Sequence, residues 1–138
     1  NRQIVKKAIE GTFEALRFAG AQLRSDREIV AGALEQSGFA LEFVDERWKS
    51  DKDLVLKAVQ RDGEGLKWAS QDLRGDRDIV LAAIQDTRYA FQHASEELRA
   101  DREVVLEAVK VNGYVLQYAS EDLRSDREVV LEAVRPGC

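Results

Sequence analysis

The chain has no methionine and only one proline, one cysteine and one histidine in 138 residues. Each shortage closes a class of function. One cysteine rules out a disulfide framework, and with one histidine it cannot furnish a structural zinc site. Those two residues leave at most a single Cys–His combination as nucleophile and base. No apolar run approaches the roughly 18 residues of a membrane span. Positive charge is also in deficit, with 21 Lys and Arg against 26 Asp and Glu and a net charge of −5. A general nucleic-acid binder needs surplus cations to neutralise phosphates, so nucleic acid is disfavoured as a partner. The absence of methionine, the first position included, points to a piece of a longer polypeptide. No charged stretch followed by an apolar one opens the chain as a signal peptide would. Arg135-Pro136-Gly137-Cys138 reads as a ragged end, and cysteine scarcity points to a cytoplasmic setting.

What the chain does have is 44% apolar and 34% charged residues, the balance of a folded domain and not of a disordered tail. These residues are laid out periodically. Asp-Arg-Glu-Val-Val-Leu-Glu-Ala-Val occurs at 101–109 and again at 126–134, an offset of 25. Stepping by that offset without gaps places Asp26, Asp51, Asp76, Asp101 and Asp126 in one column, with Asn1 at its head. The chain is a single repeat domain, 1–138, of units 1–25, 26–50, 51–75, 76–100 and 101–125 and a partial unit 126–138.

Within each unit the fifth column is always Val, the eighth always Ala, and the fourth and ninth always Ile, Leu or Val. Apolar positions 4, 5, 8 and 9 make one face of an α-helix. The constant Asp with an acid two residues later predicts an N-cap and an acidic first turn, so a long helix runs from position 2 to 11. Where Ser25, Ser50 and Ser125 precede that Asp, a capping box one residue earlier competes. Gly38, Gly63 and Gly113 at position 13 are expected to supply a left-handed helix end. Phe13 and Arg88 in the same slot predict a different turn. Positions 15, 16, 19 and 23 form a second apolar face and predict a short second helix, with Ser70, Ser95 and Ser120 starting one further turn.

Neither helix can bury its face alone, so neighbouring units must stack. The expected fold is all-α: an α-solenoid of 25-residue two-helix repeats with short or 3₁₀ turns between units. A leucine-rich repeat is set aside, because its Leu-x-Leu strand and Asn ladder are missing.

The run Asp-Arg-Glu-Val-Val-Leu-Glu-Ala-Val, then Asn112-Gly113, Leu116-Gln117-Tyr118-Ala119-Ser120 and Leu123-Arg124, resembles a known family of microbial repeats, domain of unknown function 4116. The resemblance covers essentially the whole chain. It implies helical repeats and no activity, cofactor or catalytic residue. A looser similarity to leucine-rich repeat variant units implies an α-helix paired with a 3₁₀ helix. The Cys cluster of their iron–sulfur form is absent, so no cluster is implied.

Eleven cations fall at positions 2 (Arg2, Arg27, Lys52, Arg77, Arg102, Arg127) and 24 (Arg24, Lys49, Arg74, Arg99, Arg124). With the Asp column they are expected to form structural inter-unit ladders; the competing reading is a basic stripe for anions or nucleic acid. A cation just ahead of a long helix opposes its dipole, so position 24 is expected to be offset by the Asp column or by acids at position 22. Position 14 varies among Glu14, Phe39, Glu64, Tyr89 and Tyr114, and position 17 among Arg17, Glu42, Lys67, Gln92 and Gln117. Phe39, Tyr89, Tyr114, Lys67, Gln92 and Gln117 are therefore the candidate partner-binding strip. The alternative is that the aromatics roof the turn between the helices.

His93 takes the place of Phe18, Phe43, Trp68 and Tyr118, and Trp48 the place of Leu23, Leu73, Leu98 and Leu123, so both are expected in or at the core. Cys138 is expected to be an exposed terminal thiol. Lys6 is expected to cap the apolar end of unit 1, while Val129, Leu131 and Val134 could leave the far end open to head-to-tail self-association. With no acid–base pair, phosphate loop or metal spacing, no enzyme, no cofactor and no catalytic or metal residue is expected. The expected role is a non-enzymatic interaction scaffold, with a structural spacer as the alternative. Outside positions 1, 2, 3 and 24, sixteen acids face ten cations, which favours a neutral to basic protein or peptide partner.

Overall fold

The computed structural model describes residues 26–135. Four long helices of ten residues, Arg27–Gln36, Lys52–Arg61, Arg77–Asp86 and Arg102–Val111, each fill unit positions 2 to 11. A fifth, Arg127–Val134, opens the partial unit. Each is capped by the column Asp, whose carboxylate accepts from backbone N–H groups of the first turn; Asp76 takes those of Asp78 (2.9 Å) and Ile79 (3.2 Å). The competing capping register is excluded, because Ser50 and Ser125 end the short turns that precede these helices.

In the second half of the unit the short second helix is a 3₁₀ helix, and the further turn is a separate α turn. Position 12 is extended, positions 13 to 18 wind as the 3₁₀ helices Gly38–Phe43, Gly63–Trp68, Arg88–His93 and Gly113–Tyr118, and position 19 is extended again. Six residues between extended neighbours close with short i to i+3 bonds instead of α turns, beginning with Ala40 N–H to the Ser37 carbonyl at 3.2 Å. A four-residue α turn follows: Glu46–Lys49, Gln71–Arg74, Glu96–Arg99 and Glu121–Arg124. Ser70 and Ser95 cap theirs through Oγ as expected, Asp45 caps the turn of unit 2 through Oδ1, and Ser120 makes no side-chain cap bond.

Columns 4, 5, 8 and 9 are buried in units 2 to 5. Columns 15 and 16 close over them through Ala40, Leu41, Leu66, Ala90, Phe91 and Val115. Long helices contact long helices of adjacent units, and 3₁₀ helices contact 3₁₀ helices. The result is two parallel rows around one apolar core, with no strand among the described residues. No described helix is long and apolar enough to cross a membrane.

The position-13 glycines have a different reason from the one expected. None has a positive φ, and the residue before each is extended, so the helix end is not left-handed. Instead a Cβ on Gly38, Gly63 or Gly113 would lie closer than 3.0 Å to the carbonyl oxygen of Ala58, Ala83 or Ala133 in the next unit. Gly at 13 and Ala at 8 are the two halves of one close approach. Arg88 does not change the turn, since Thr87 is extended like its counterparts. It changes the packing on the next unit instead. The units are also linked by a backbone bond at each of the three junctions between units 2 and 5: Ser70, Ser95 and Ser120 N–H groups donate to the carbonyls of Lys49, Arg74 and Arg99, each at 2.9 Å. The expectations for Phe13, Lys6 and Cys138 fall outside the described residues.

Candidate functional site

Stacking turns each column into a row, and the position-2 cations face the acids of the following unit. Arg27 lies 3.5 Å from Asp51, Lys52 lies 3.2 Å from both Asp76 and Asp78, and Arg102 lies 2.9 Å from Asp126 and 2.6 Å from Glu128. The Arg102 hydrogen bond, then the Val129 N–H, holds the Asp126 carboxyl below the usual carboxylate range. Asp78 and Asp76 likewise raise the Lys52 ammonium above its ordinary value. Arg77 departs from the row by pairing with Glu107, and neither Asp101 nor Arg127 pairs with a described residue of opposite charge.

Position 24 behaves differently from the expectation. These cations sit in the last turn of the short α turns, at the favourable end of its dipole. Lys49 pairs with Glu46 at 3.0 Å and Arg99 Nε donates to the Ala94 carbonyl at 3.2 Å. Arg74, Arg99 and Arg124 pair with neither the Asp column nor the acids at 22. Arg74, Gln71 and Asp72 of unit 3 line a polar groove of about 760 Å³ with Gln92, Glu96 and Arg99 of unit 4.

The strip at positions 14 and 17 lies on the 3₁₀ row. Phe39, Tyr89 and Tyr114 are the exposed aromatics of the described chain, at 36%, 45% and 68%. Lys67, Gln92 and Gln117 are exposed beside them. The Phe39 ring meets Trp68 of the next unit edge to face at 5.7 Å, and Lys67 Nζ sits 4.3 Å over that indole. The Arg88 guanidinium lies between two rings, 4.6 Å from the Tyr89 centroid and 4.8 Å from that of Tyr114, and donates to Tyr89 Oη at 2.8 Å. Gln117 Nε2 donates to the Tyr114 carbonyl at 3.3 Å. Five of the six strip residues thus take part in two clusters or border them, while Gln92 faces the groove.

Sequence reasoning missed Trp68 and Arg88 as members of the strip. The signal for Trp68 is a spacing of 29, one unit plus a helical turn, which joins position 14 to position 18 of the next unit. Glu64 and His93 share that spacing, and His93 Nε2 lies 3.3 Å from Glu64 Oε2. His93 is half-buried, as expected for a residue in an aromatic column, and its partner is a carboxylate. Trp48 is half-buried under Arg47, 5.2 Å from its ring. At the far end Val129 is buried, whereas Leu131 and Val134 are exposed. Among the described residues no three His, Cys, Asp or Glu side chains gather as metal ligands would. The described 3₁₀ row presents the aromatic faces of Phe39, Tyr89 and Tyr114 in one column, with Lys67, Gln92 and Gln117 beside them.

A family model described as "Domain of unknown function (DUF4116)" matches residues 1–49, 26–74, 51–99 and 101–135. No curated protein and no solved structure matches the chain. The overlapping matches advance by whole repeats, in step with the long helices and their Asp caps. The chain belongs to the DUF4116 family of repeat domains.

Proposed function

We propose that this chain is a non-enzymatic interaction module that holds a protein or peptide partner along the strip of Phe39, Lys67, Tyr89, Gln92, Tyr114 and Gln117. The observation that carries this reading is the placement of three exposed aromatics in one column, each braced by a neighbour before any partner arrives. Preorganised Tyr, Trp and Arg side chains make the strongest interface contacts because little rotamer freedom remains to be lost on binding.

Partner charge follows from how the cations are used. Lys67 and Arg88 are engaged over rings, while Glu42, Glu46, Asp72, Glu96 and Glu97 stand exposed along the same half of the unit. A neutral to basic segment suits that surface. Phosphates suit it less, because four of the five described position-2 cations, Arg27, Lys52, Arg77 and Arg102, are already paired with carboxylates.

A displayed random-peptide library panned on the immobilised chain tests the reading. It should return peptides of neutral to basic net charge whose capture drops at least about tenfold with Tyr89→Ala/Tyr114→Ala, a loss in the range of an interface hot spot. If the library returns nothing above background, or peptides indifferent to both tyrosines, the chain is a spacer or uses another face.

A further inference from the structure

We infer that the junction between units 4 and 5 is a hinge built into the solenoid, held shut by the Tyr89–Arg88–Tyr114 stack. Four observations converge on it. The glycine of the close approach is replaced by Arg88, and the following long helix, Arg102–Val111, lacks the extensive contact with the preceding 3₁₀ helix that its counterparts make at the other described junctions. The carboxylate that takes the position-13 N–H is missing too. Asp62 Oδ2 accepts from Gly38 N–H at 2.6 Å and Asp86 Oδ2 from Gly63 N–H at 2.8 Å, but unit 5 offers Val111 and Asn112 in those slots.

The salt ladder shifts at the same place: Arg77 reaches Glu107 instead of Asp101, and Asp101 is the exposed member of a column otherwise half-buried. Finally, the larger Val115 replaces the Ala or Gly found at position 15 of units 2 to 4. A junction with fewer directional bonds and looser packing of helix on helix opens at lower free energy than its neighbours. The two tyrosines grip the guanidinium from both sides of that junction, so the stack is the latch.

Amide exchange of the intact chain, followed by NMR, tests this on three equivalent bonds. Ser70, Ser95 and Ser120 N–H groups each donate across one junction at the same 2.9 Å. The Ser120 amide should exchange about tenfold or more faster than that of Ser95, as local opening requires. Arg88→Gly/Asn112→Asp, which restores the close approach and the acceptor, should slow Ser120 toward Ser95 and leave Ser70 unchanged. Tyr114→Ala, at an exposed position, should speed Ser120 alone. Equal protection of Ser95 and Ser120 in the unmodified chain overturns the hinge. So does fast exchange at Ser120 that neither variant alters, which marks fraying from the nearby end. If the double variant does not fold, the Tyr114→Ala result decides.

Discussion

At the scale of single residues, a side chain's identity here is set by what the next unit places against it. Gly38 and Gly63 are needed because a carbonyl of the following helix occupies the space of a Cβ. Gly32 meets nothing within 4 Å and lies inside a helix. The two kinds of glycine should respond oppositely to alanine. Gly38→Ala or Gly63→Ala should lose about 2–3 kcal/mol in urea unfolding, because packed backbone must move. Gly32→Ala should gain about 0.5–1 kcal/mol from helix propensity and reduced unfolded-state entropy. The glycine column was visible in the sequence, but its cause was not: a helix-ending glycine and a close-approach glycine look alike in one dimension. Arg88 was legible only as a departure, since its two rings belong to different units.

At the scale of elements, the long helices were readable to their ends because three signals coincide there: an Asp cap, an acidic first turn and the apolar columns at 4, 5, 8 and 9. The 3₁₀ helices were not readable from periodicity, since six residues are too few to separate a period of three from one of 3.6. Only the similarity to leucine-rich repeat variant units pointed to them. The caps also give the fold a pH signature. Asp126 titrates below its ordinary range when folded, so its contribution is present above the unfolded carboxylate pKa and is lost as pH falls through the folded one. Arg102→Ala should therefore lower the Tm at neutral pH, and the difference from the parent chain should shrink as pH falls through the depressed range in which folded Asp126 takes up its proton. A deficit that persists in acid would locate the role of Arg102 in packing of its stem. Asp76→Ala, which removes a cap at a central junction, should cost about 1 kcal/mol.

At the scale of the whole molecule, two rows of helices share one core that no unit could close alone, and their junctions are not equivalent. In that arrangement four position-2 cations, Arg27, Lys52, Arg77 and Arg102, pair with acids of the following unit, and we propose that the 3₁₀ row carries a partner. The strip residues were legible as a variable, partly exposed column, but not the bracing that holds them, which runs between residues 26 and 29 apart in the chain. The division of labour between the two surfaces is the central claim, and capture by three immobilised forms tests it most directly: the parent chain, a strip variant Lys67→Glu/Tyr89→Ala/Tyr114→Ala and a ladder variant Arg127→Ala, all matched for helicity. A partner retained by the parent chain and by Arg127→Ala but lost by the strip variant is the predicted result. Retention by the strip variant with loss by Arg127→Ala would contradict it and move the binding surface to the cation ladder.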